Sequence, residues 1–531
     1  MRHFESPGRS TIHAENGMVA TSHALASSEA LHILRQGGNA MDAALTACAV
    51  QCVVEPGSTG IGGDCFAMIA YDDGHAPRAF NGSGRAPLAA SLDFYERAGL
   101  QEIPRHSAHA VTLPGSVDAW CTLAQDQGSL GLDAILAPAI RLAREGYPIS
   151  PRVHWDWVQS KWLLEKNHLT RDLFLPDGSP PPVGARHRQP QLANTLERIA
   201  DRGRDGFYTG PVADEFVSVL TEMSGLHRHD DLAEVCGSYV EPISADFHGH
   251  EILQCPPNAQ GVTALMLLKL IESGDPSNDD PLSVDRLHQF IEACRQAYAA
   301  RDAWLGDPET MSRDVQGLLD PDFLGQTREK IDLSRASVVS TTPPVPVADN
   351  TVYITVVDRD GMAVSLINSL YLNFGSGIVL PRCGVLLNNR GQGFNVKRGH
   401  PNAIDGGKRP LNTIIPAIAT LSGRPAMSFG VMGGHYQAAG HAYLLSNFLE
   451  LGLDLQESMD MPRIFPIPGE NSVEAETTFD PSTLESLRGL GHDLVRPPRP
   501  IGGAQAIWID RREGLLVGAS DHRKDGCAIG Y

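Results

Sequence analysis

The sequence lacks the features that would direct a chain to a membrane or to nucleic acid. No run of about 18 apolar residues is present, so no transmembrane helix is predicted. The N-terminal stretch MRHFESPGRSTIHAENG has Arg2 but no apolar core behind it, which argues against a signal peptide. Lys and Arg number 43 against 63 Asp and Glu, a net charge of −20, and no Lys/Arg-rich run offsets this acidity. Because phosphate backbones and anionic lipids are bound through Lys and Arg, we predict that the protein binds neither.

Cysteine is also scarce. There are nine in 531 residues, an odd number, scattered and without a CxxC pair. Cys48 and Cys52 lie four residues apart in an Ala-rich helical stretch, which favours core packing over metal binding. A chain of this length can bury a core without disulfides, and we predict a cytoplasmic location. With 42% hydrophobic and 20% charged residues, the composition is that of a folded globular protein.

The first part of the chain is dominated by helical patterns. Residues 22–54 read as two helices, the second of them apolar nearly all round and therefore expected to be buried. A glycine-rich turn at 55–64 leads into a strand at 65–71. Residues 130–330 read mostly as amphipathic helix, in which we expect Trp155, Trp157 and Trp162 to cover helix packing.

The pattern changes abruptly at position 351. Residues 338–350, VVSTTPPVPVADN, contain three prolines and no helical period, which predicts an exposed irregular segment. Residues 351–357 then read as a strand, 358–361 as a hairpin turn and 363–368 as the returning strand. This layout predicts a chain that is cut between residues 350 and 351.

Several short motifs follow one another along nearly the whole chain. The first part holds GGNAMDAAL, EPGSTGIGGDCF and the LPGS of residues 113–116. After residue 351 come VVDRDGMAV, FGSGIVLP, GVLLNN, KRPLNT, MGGH and GASDHRKDGCAIGY. Each is weak alone, but in this order and spacing they make the sequence resemble the γ-glutamyltransferase superfamily of N-terminal-nucleophile hydrolases.

This resemblance implies an α+β fold, a four-layered αββα sandwich. It implies that residues 1–350 become a helix-rich large subunit and residues 351–531 a β-rich small subunit, and that the two stay intertwined in one unit. It also implies an autoprocessing amide hydrolase that needs no metal and no organic cofactor. Its partners would be a small-molecule amide and water or an acceptor amine. Whether two cleaved units pair as a homodimer is left open.

The resemblance assigns the nucleophile and its helpers. Autocleavage after Asn350 would make Thr351 an N-terminal residue, with an α-amine of reference pKa about 7.7 to 8.0 that can act as its base. Ser369 occupies the place of a second hydroxyl that hydrogen-bonds the nucleophile, where the family usually has threonine. Gly433 and Gly434 match the family's oxyanion element, in which backbone N–H groups approach the developing charge.

The expected substrate pocket departs from the family pattern. In γ-glutamyl enzymes an asparagine and an aspartate hold the substrate's α-amino group, and these positions are Tyr371 and Gly393 here. Arg390 replaces a glutamine and adds positive charge, whereas Asn412 and Thr413 replace a serine pair and keep hydrogen-bond donors. The family's carboxylate-binding arginine falls at Ser83, and we expect Arg85, two residues on, to substitute for it.

These departures resemble the branch that contains oxamate amidohydrolase and glutaryl-cephalosporin acylases. Three functions therefore stay open: hydrolysis of a small acidic amide, which the pocket changes favour; a γ-glutamyl hydrolase or transferase acting on glutathione-like compounds; and a non-processed binding or scaffold relative. Two further patterns are discounted. Residues 60–63, GIGG, lack the spacing of a nucleotide loop, and the His227–Asp231 cluster reads better as a capped helix start than as a metal site.

Overall fold

The structure is a computed structural model that describes residues 8–272, 280–338 and 351–531. Its strands are β1 Ile12–Ala14, β2 Met18–Thr21, β3 Asp64–Ala70, β4 Arg78–Gly82, β5 Tyr147–Pro148, β6 Arg186–His187, β7 Ser238–Val240, β8 Ile243–Phe247, β9 His250–Gln254, β10 Val352–Val357, β11 Ala363–Ser369, β12 Val379–Leu380, β13 Val385–Leu386, β14 Ala417–Leu421, β15 Arg424–Met432, β16 Ile464–Pro466, β17 Ser472–Ala475, β18 Asp493–Val495, β19 Gly503–Asp510, β20 Leu515–Ser520 and β21 Cys527–Gly530.

The α-helices are α1 Ala24–Arg35, α2 Ala40–Val54, α3 Leu92–Arg97, α4 Ser116–Gln127, α5 Leu132–Glu145, α6 Pro151–Leu164, α7 His168–Phe174, α8 Pro190–Arg202, α9 Asp205–Tyr208, α10 Gly210–Glu222, α11 His229–Ala233, α12 Gly261–Ile271, α13 Val284–Trp304, α14 Pro321–Arg328, α15 Tyr436–Leu445, α16 Leu455–Asp460 and α17 Pro481–Gly489.

Two seven-stranded antiparallel sheets pack face to face at the centre. One has the strand order β1-β20-β19-β15-β14-β9-β8 and the other β21-β2-β10-β11-β3-β4-β7. Helices α1 and α2 cover the outer face of the second sheet, and α12 and α15 cover that of the first. The order of layers is helix, sheet, sheet, helix, which confirms the predicted α+β fold of αββα type.

The central hairpin of the second sheet joins the two parts of the chain. Strands β10 and β11 pair in the register Val352 to Asn368, and β2 and β3 from the first part flank them. The turn between them places Gly361 at φ +81°, a conformation that favours glycine. The hairpin predicted from the sequence is therefore confirmed, and strands from both sides of position 351 share each sheet.

Helix α2 packs against β10 and β11, and the glycine-rich turn that follows α2 contacts β11. All fifteen residues of α2 are buried, as its apolar pattern predicts, and Asn39 and Asp42 cap its start. In the turn that follows, a Cβ added at Gly63 would lie 2.3 Å from the carbonyl oxygen of Ser369. Gly63 thus allows close backbone contact with β11.

The structure confirms some of the other expectations for the first part of the chain and contradicts others. The His227–Asp231 segment does begin a capped helix, since Asp231 accepts hydrogen bonds at the start of α11. The described residues between 130 and 330 are mostly helical, as expected, although strands β5 to β9 interrupt the helices. Trp157 is buried in helix packing, but Trp162 is 52% exposed, so the expectation for that tryptophan is wrong.

In the described part of the chain, no helix combines the length and the apolar character needed to cross a bilayer. All nine cysteines lie in that part as well, and each is a free thiol.

Candidate active site

Thr351 and Ser369 face each other at the open end of the β10–β11 hairpin. Because Val352 pairs with Asn368, the next residues outward, Thr351 and Ser369, come opposite each other. Thr351 Oγ1 lies 3.2 Å from Ser369 Oγ, and both side chains are buried. Ser369 Oγ also accepts a hydrogen bond from the Tyr371 backbone N–H at 2.9 Å, which fixes its position. Asn350, the residue expected before the cut, lies outside the described residues.

Tyr371 is held in an unusual backbone conformation beside this pair. Its φ of +83° lies in the left-handed region, which costs a non-glycine residue about 1–3 kcal/mol unless its surroundings hold it there. Three contacts do so: the bond to Ser369 Oγ, the Arg390 guanidinium 4.4 Å from the ring centroid, and His435 Nε2 at 3.4 Å from the phenol oxygen. Tyr371 is thus fixed between the nucleophile and Arg390.

Arg390 is a fully buried cation with a spare donor. Its Nε donates to Asp64 Oδ2 at 3.1 Å and its Nη1 to Thr413 Oγ1 at 3.2 Å. Its Nη2 has no hydrogen-bond partner among the described residues. Burial lowers the pKa of Arg390 and raises that of Asp64, and the charge of each partner opposes these shifts. A buried guanidinium N–H without an acceptor is costly, so this site suits an anionic ligand.

Asn412 and Thr413 join the same cluster from the segment before β14. Asn412 Nδ2 donates to Asp64 Oδ2 at 3.0 Å, next to the Arg390 contact. The structure therefore brings together Tyr371, Arg390, Asn412 and Thr413, four of the five residues expected to bind substrate.

Arg85 is the fifth, and it makes its contacts elsewhere. Its Nη1 donates to the Gly407 carbonyl at 2.8 Å, and its Nη2 forms an ion pair with Glu309 Oε1 at 2.9 Å. The side chain is 31% exposed. Arg85 is thus engaged at the surface, and no hydrogen bond among the described residues links it to Arg390 or Tyr371.

Gly433 and Gly434 follow β15 directly. Their φ angles of +115° and +56° lie where side chains are strained, and a Cβ added at Gly433 would come within 2.9 Å of Gly502 Cα. The next residue, His435, contacts Tyr371, which contacts Ser369 beside Thr351. The glycine pair is therefore connected to the nucleophile through His435, Tyr371 and Ser369.

We predict that Gly433→Ala lowers kcat by about 10²-fold, the typical effect of losing one oxyanion donor. The added methyl group must displace the backbone at Gly502, so the Gly433 N–H would no longer point at the developing charge. Gly325→Ala is a matched control, because Gly325 lies in α14 with nothing within 4 Å of an added Cβ. Steady-state kinetics in which both variants lose kcat equally would contradict this role.

Residues that the sequence did not single out hold the glycine pair. Gln260 Nε2 donates to the carbonyls of Gly434 at 3.1 Å and Thr413 at 3.0 Å. The fully buried Arg301 donates from Nη1 to Gln260 Oε1 and to His435 Nδ1, both at 2.8 Å. The sequence signal for Arg301 was a charged residue on a face of α13 that also carries apolar side chains. Such a residue does not by itself indicate a functional site.

One cluster of side chains has the residue types of a metal site. Among the described residues, His288, Glu292 and His492 offer ligand atoms within 4.8 Å of one another. His288 Nδ1 and His492 Nε2 hydrogen-bond at 2.7 Å, and Glu292 Oε1 accepts from Arg295 Nη1 at 3.0 Å. All three ligands already have partners, and the Arg295 cation opposes a second positive charge.

Comparison with known proteins identifies the family. A model of the gamma-glutamyltranspeptidase family matches residues 26–531. The glutathione hydrolase-like YwrD proenzyme of Bacillus subtilis is 35% identical over 521 residues, covering 97% of this chain and 98% of that protein. The oxamate amidohydrolase proenzyme of Klebsiella pneumoniae is 34% identical, covering 98% of this chain and 100% of that protein. A cephalosporin acylase structure from Bacillus halodurans has a TM-score of 0.92 at 36% identity, covering 100% of this chain and 99% of that one. The chain therefore belongs to the gamma-glutamyltranspeptidase family and is an N-terminal-nucleophile hydrolase.

Proposed function

We propose that the protein hydrolyses small amides whose acyl group ends in an acid, such as oxamate or glutaryl amides. The observation that carries this proposal is Arg390, a buried guanidinium beside Tyr371 whose Nη2 lacks an acceptor among the described residues. A carboxylate or α-keto oxygen supplies that acceptor, whereas a substrate ammonium would add a second cation next to Arg390.

The position of the family's ammonium-binding aspartate supports the same conclusion. At Gly393, an added Cβ would lie 2.9 Å from the carbonyl oxygen of Leu411, so the backbone leaves little room for a side chain. An anion there to pair with an α-amine is therefore lacking. The name of one relative, oxamate amidohydrolase, agrees with an acyl group that has no α-amine.

The active enzyme would arise by self-cleavage at 350/351. Thr351 Oγ1 attacks the Asn350 carbonyl carbon, the peptide nitrogen becomes the Thr351 α-amine, and water opens the resulting ester. Residues 1–350 and 351–531 would then be large and small subunits of one folded unit. The proenzyme names of the relatives support this step.

Catalysis would reuse the same hydroxyl. The α-amine takes the Oγ1 proton as Oγ1 attacks the substrate carbonyl, and the N–H groups of Gly433 and Gly434 stabilise the oxyanion. The leaving amine takes the proton as the C–N bond breaks. Water, or an acceptor amine, then attacks the acyl-enzyme ester and releases the acid or a new amide. Ser369 hydrogen-bonds Oγ1 throughout. The location proposed for the enzyme is the cytoplasm, as the odd number and scattered positions of its cysteines predict.

A matched substrate pair tests this proposal. Glutaryl-p-nitroanilide and γ-glutamyl-p-nitroanilide place the same amide at the end of the same chain and differ at the α-carbon, where only the second carries an amine. We expect kcat/KM to favour the glutaryl compound by roughly tenfold or more, because an unpaired ammonium must be desolvated beside Arg390. Ammonia release from oxamate is measured alongside the two p-nitroanilide assays. A tenfold preference for the γ-glutamyl compound would instead establish a γ-glutamyl enzyme.

A further inference from the structure

His435 is a buried imidazole that the proposed chemistry does not use. It follows the glycine pair, and its ring lies between Arg301 on one side and Tyr371 on the other. The Arg301 Nη1 to His435 Nδ1 distance is 2.8 Å, and the His435 Nε2 to Tyr371 Oη distance is 3.4 Å. The family has serine at this position, so the ring distinguishes this chain from the family pattern.

The Arg301 contact fixes which nitrogen of His435 carries the proton. A guanidinium can only donate, so Nδ1 must be the acceptor, and the proton of the neutral ring is on Nε2. Nε2–H therefore donates to the phenol oxygen of Tyr371. Because a phenol has a single proton, the Tyr371 O–H is left to donate to another group.

The described part of the chain supplies no acceptor for that donor. Among the described residues, His435 is the only hydrogen-bond partner of the Tyr371 phenol oxygen. The adjacent Arg390 Nη2 likewise has no partner there. Two donors on adjacent side chains, one of them cationic, are therefore available to a ligand, and Tyr371 lies next to the Ser369–Thr351 pair.

The frame that holds His435 comes from the first part of the chain. Arg301 also donates to Gln260 Oε1 at 2.8 Å, and Tyr298 Oη donates to the His435 carbonyl at 2.5 Å. Both Tyr298 and Arg301 belong to α13, and both are buried. The orientation of the ring is thus set by rigid neighbours rather than by a loop side chain.

We propose that His435 is a positioning residue for substrate specificity. By donating to the Tyr371 oxygen, it forces the Tyr371 O–H to act as a donor toward the acyl end of the substrate. Together with Arg390, this donor selects acyl groups that end in a carboxylate or α-keto oxygen. An ammonium, which is itself only a donor, cannot accept a hydrogen bond from either group. The inference rests on the proposed function, since the acyl pocket is the one beside Thr351.

A double-mutant cycle tests it, with glutaryl-p-nitroanilide as the probe. We expect His435→Phe to raise KM and lower kcat/KM by about tenfold, the effect of one misdirected hydrogen bond. Tyr371→Phe should give a similar loss, and the double variant should lose no more than either single variant because the two act through one bond. His435→Gln should recover most of the loss, because its amide can accept from Arg301 and donate to Tyr371.

The outcomes separate this inference from the proposed function. If the losses of the two single variants multiply in the double variant, or if His435→Gln is as poor as His435→Phe, the positioning role is wrong although the glutaryl preference stands. If the wild-type protein prefers the γ-glutamyl compound, the proposed function itself fails. Should His435→Phe not fold, His435→Ala, which also removes the Nε2–H donor and has a smaller side chain, takes its place in the same cycle.

Discussion

Thr351→Ala is expected to leave the 531-residue chain uncut and to reduce amide hydrolysis by at least about 10⁴-fold. The variant lacks the oxygen that attacks the Asn350 carbonyl, so no α-amine is released at residue 351. It also lacks the oxygen that would carry the acyl group. Cleavage is read by intact mass and hydrolysis by release of p-nitroaniline from glutaryl-p-nitroanilide.

Two variants control for effects on folding. Thr351→Ser keeps a hydroxyl opposite Ser369 and should still be cleaved and active. Thr355→Ala removes a buried threonine hydroxyl from β10, the strand that follows Thr351, where it lies 2.7 Å from Ser428 Oγ. That change should cost about 1–3 kcal/mol of stability and leave cleavage intact. A Thr351→Ala protein that is cleaved and active would refute the nucleophile assignment.

Arg390→Lys is expected to lower kcat/KM for glutaryl-p-nitroanilide by about 10²- to 10³-fold. Lysine keeps the positive charge beside Asp64 but loses the planar fork that reaches Asp64 and Thr413 and has Nη2 to spare. Truncating one partner of a buried charged pair costs about 2–5 kcal/mol in binding, which sets the size of the effect. Steady-state kinetics on the glutaryl and γ-glutamyl compounds measure it.

The matched control is a buried arginine that holds structure elsewhere. Arg463 pairs with the buried Asp521 and donates to the Ile501 carbonyl. Arg463→Lys should lower the melting temperature while leaving the ratio of glutaryl to γ-glutamyl hydrolysis unchanged. If Arg390→Lys lowers kcat/KM for both substrates by the same factor, as a general defect would, Arg390 does not recognise the acyl end of the substrate.

Local sequence patterns predict much of the fold. The all-round apolar sequence of α2 predicts a buried helix, and the period-two segments around the Asp358–Gly361 turn predict the β10–β11 hairpin. These features depend on neighbours in sequence, so the sequence determines them locally. The motif order supplies the αββα layering, which no local pattern contains.

The sequence predicts the candidate active site only in part. Tyr371, Arg390, Asn412 and Thr413 come together as the resemblance implies, because each lies on or beside a matched motif. Arg85 forms its ion pair with Glu309, more than 220 positions away, a contact that chain spacing cannot reveal. The support from Arg301 and Gln260 was missed for the same reason: helices α12 and α13 carry it across the fold.

The exposure of Trp162 illustrates a different limit. Its neighbour in the same helix, Trp157, is buried, and the two differ because five residues of α-helix turn the side chain through about 500°, to another face. Composition places both tryptophans in a helix, but only the packing of that helix decides which face is covered.

The central claim, that Thr351 is unmasked as an N-terminal nucleophile, is tested most directly by a denaturing intact-mass spectrum of the purified wild-type protein. We predict two species, with the masses of residues 1–350 and 351–531. A single species of the full-length mass, unchanged over days of incubation, would contradict the account, because Thr351 would then never expose the amine that its chemistry requires.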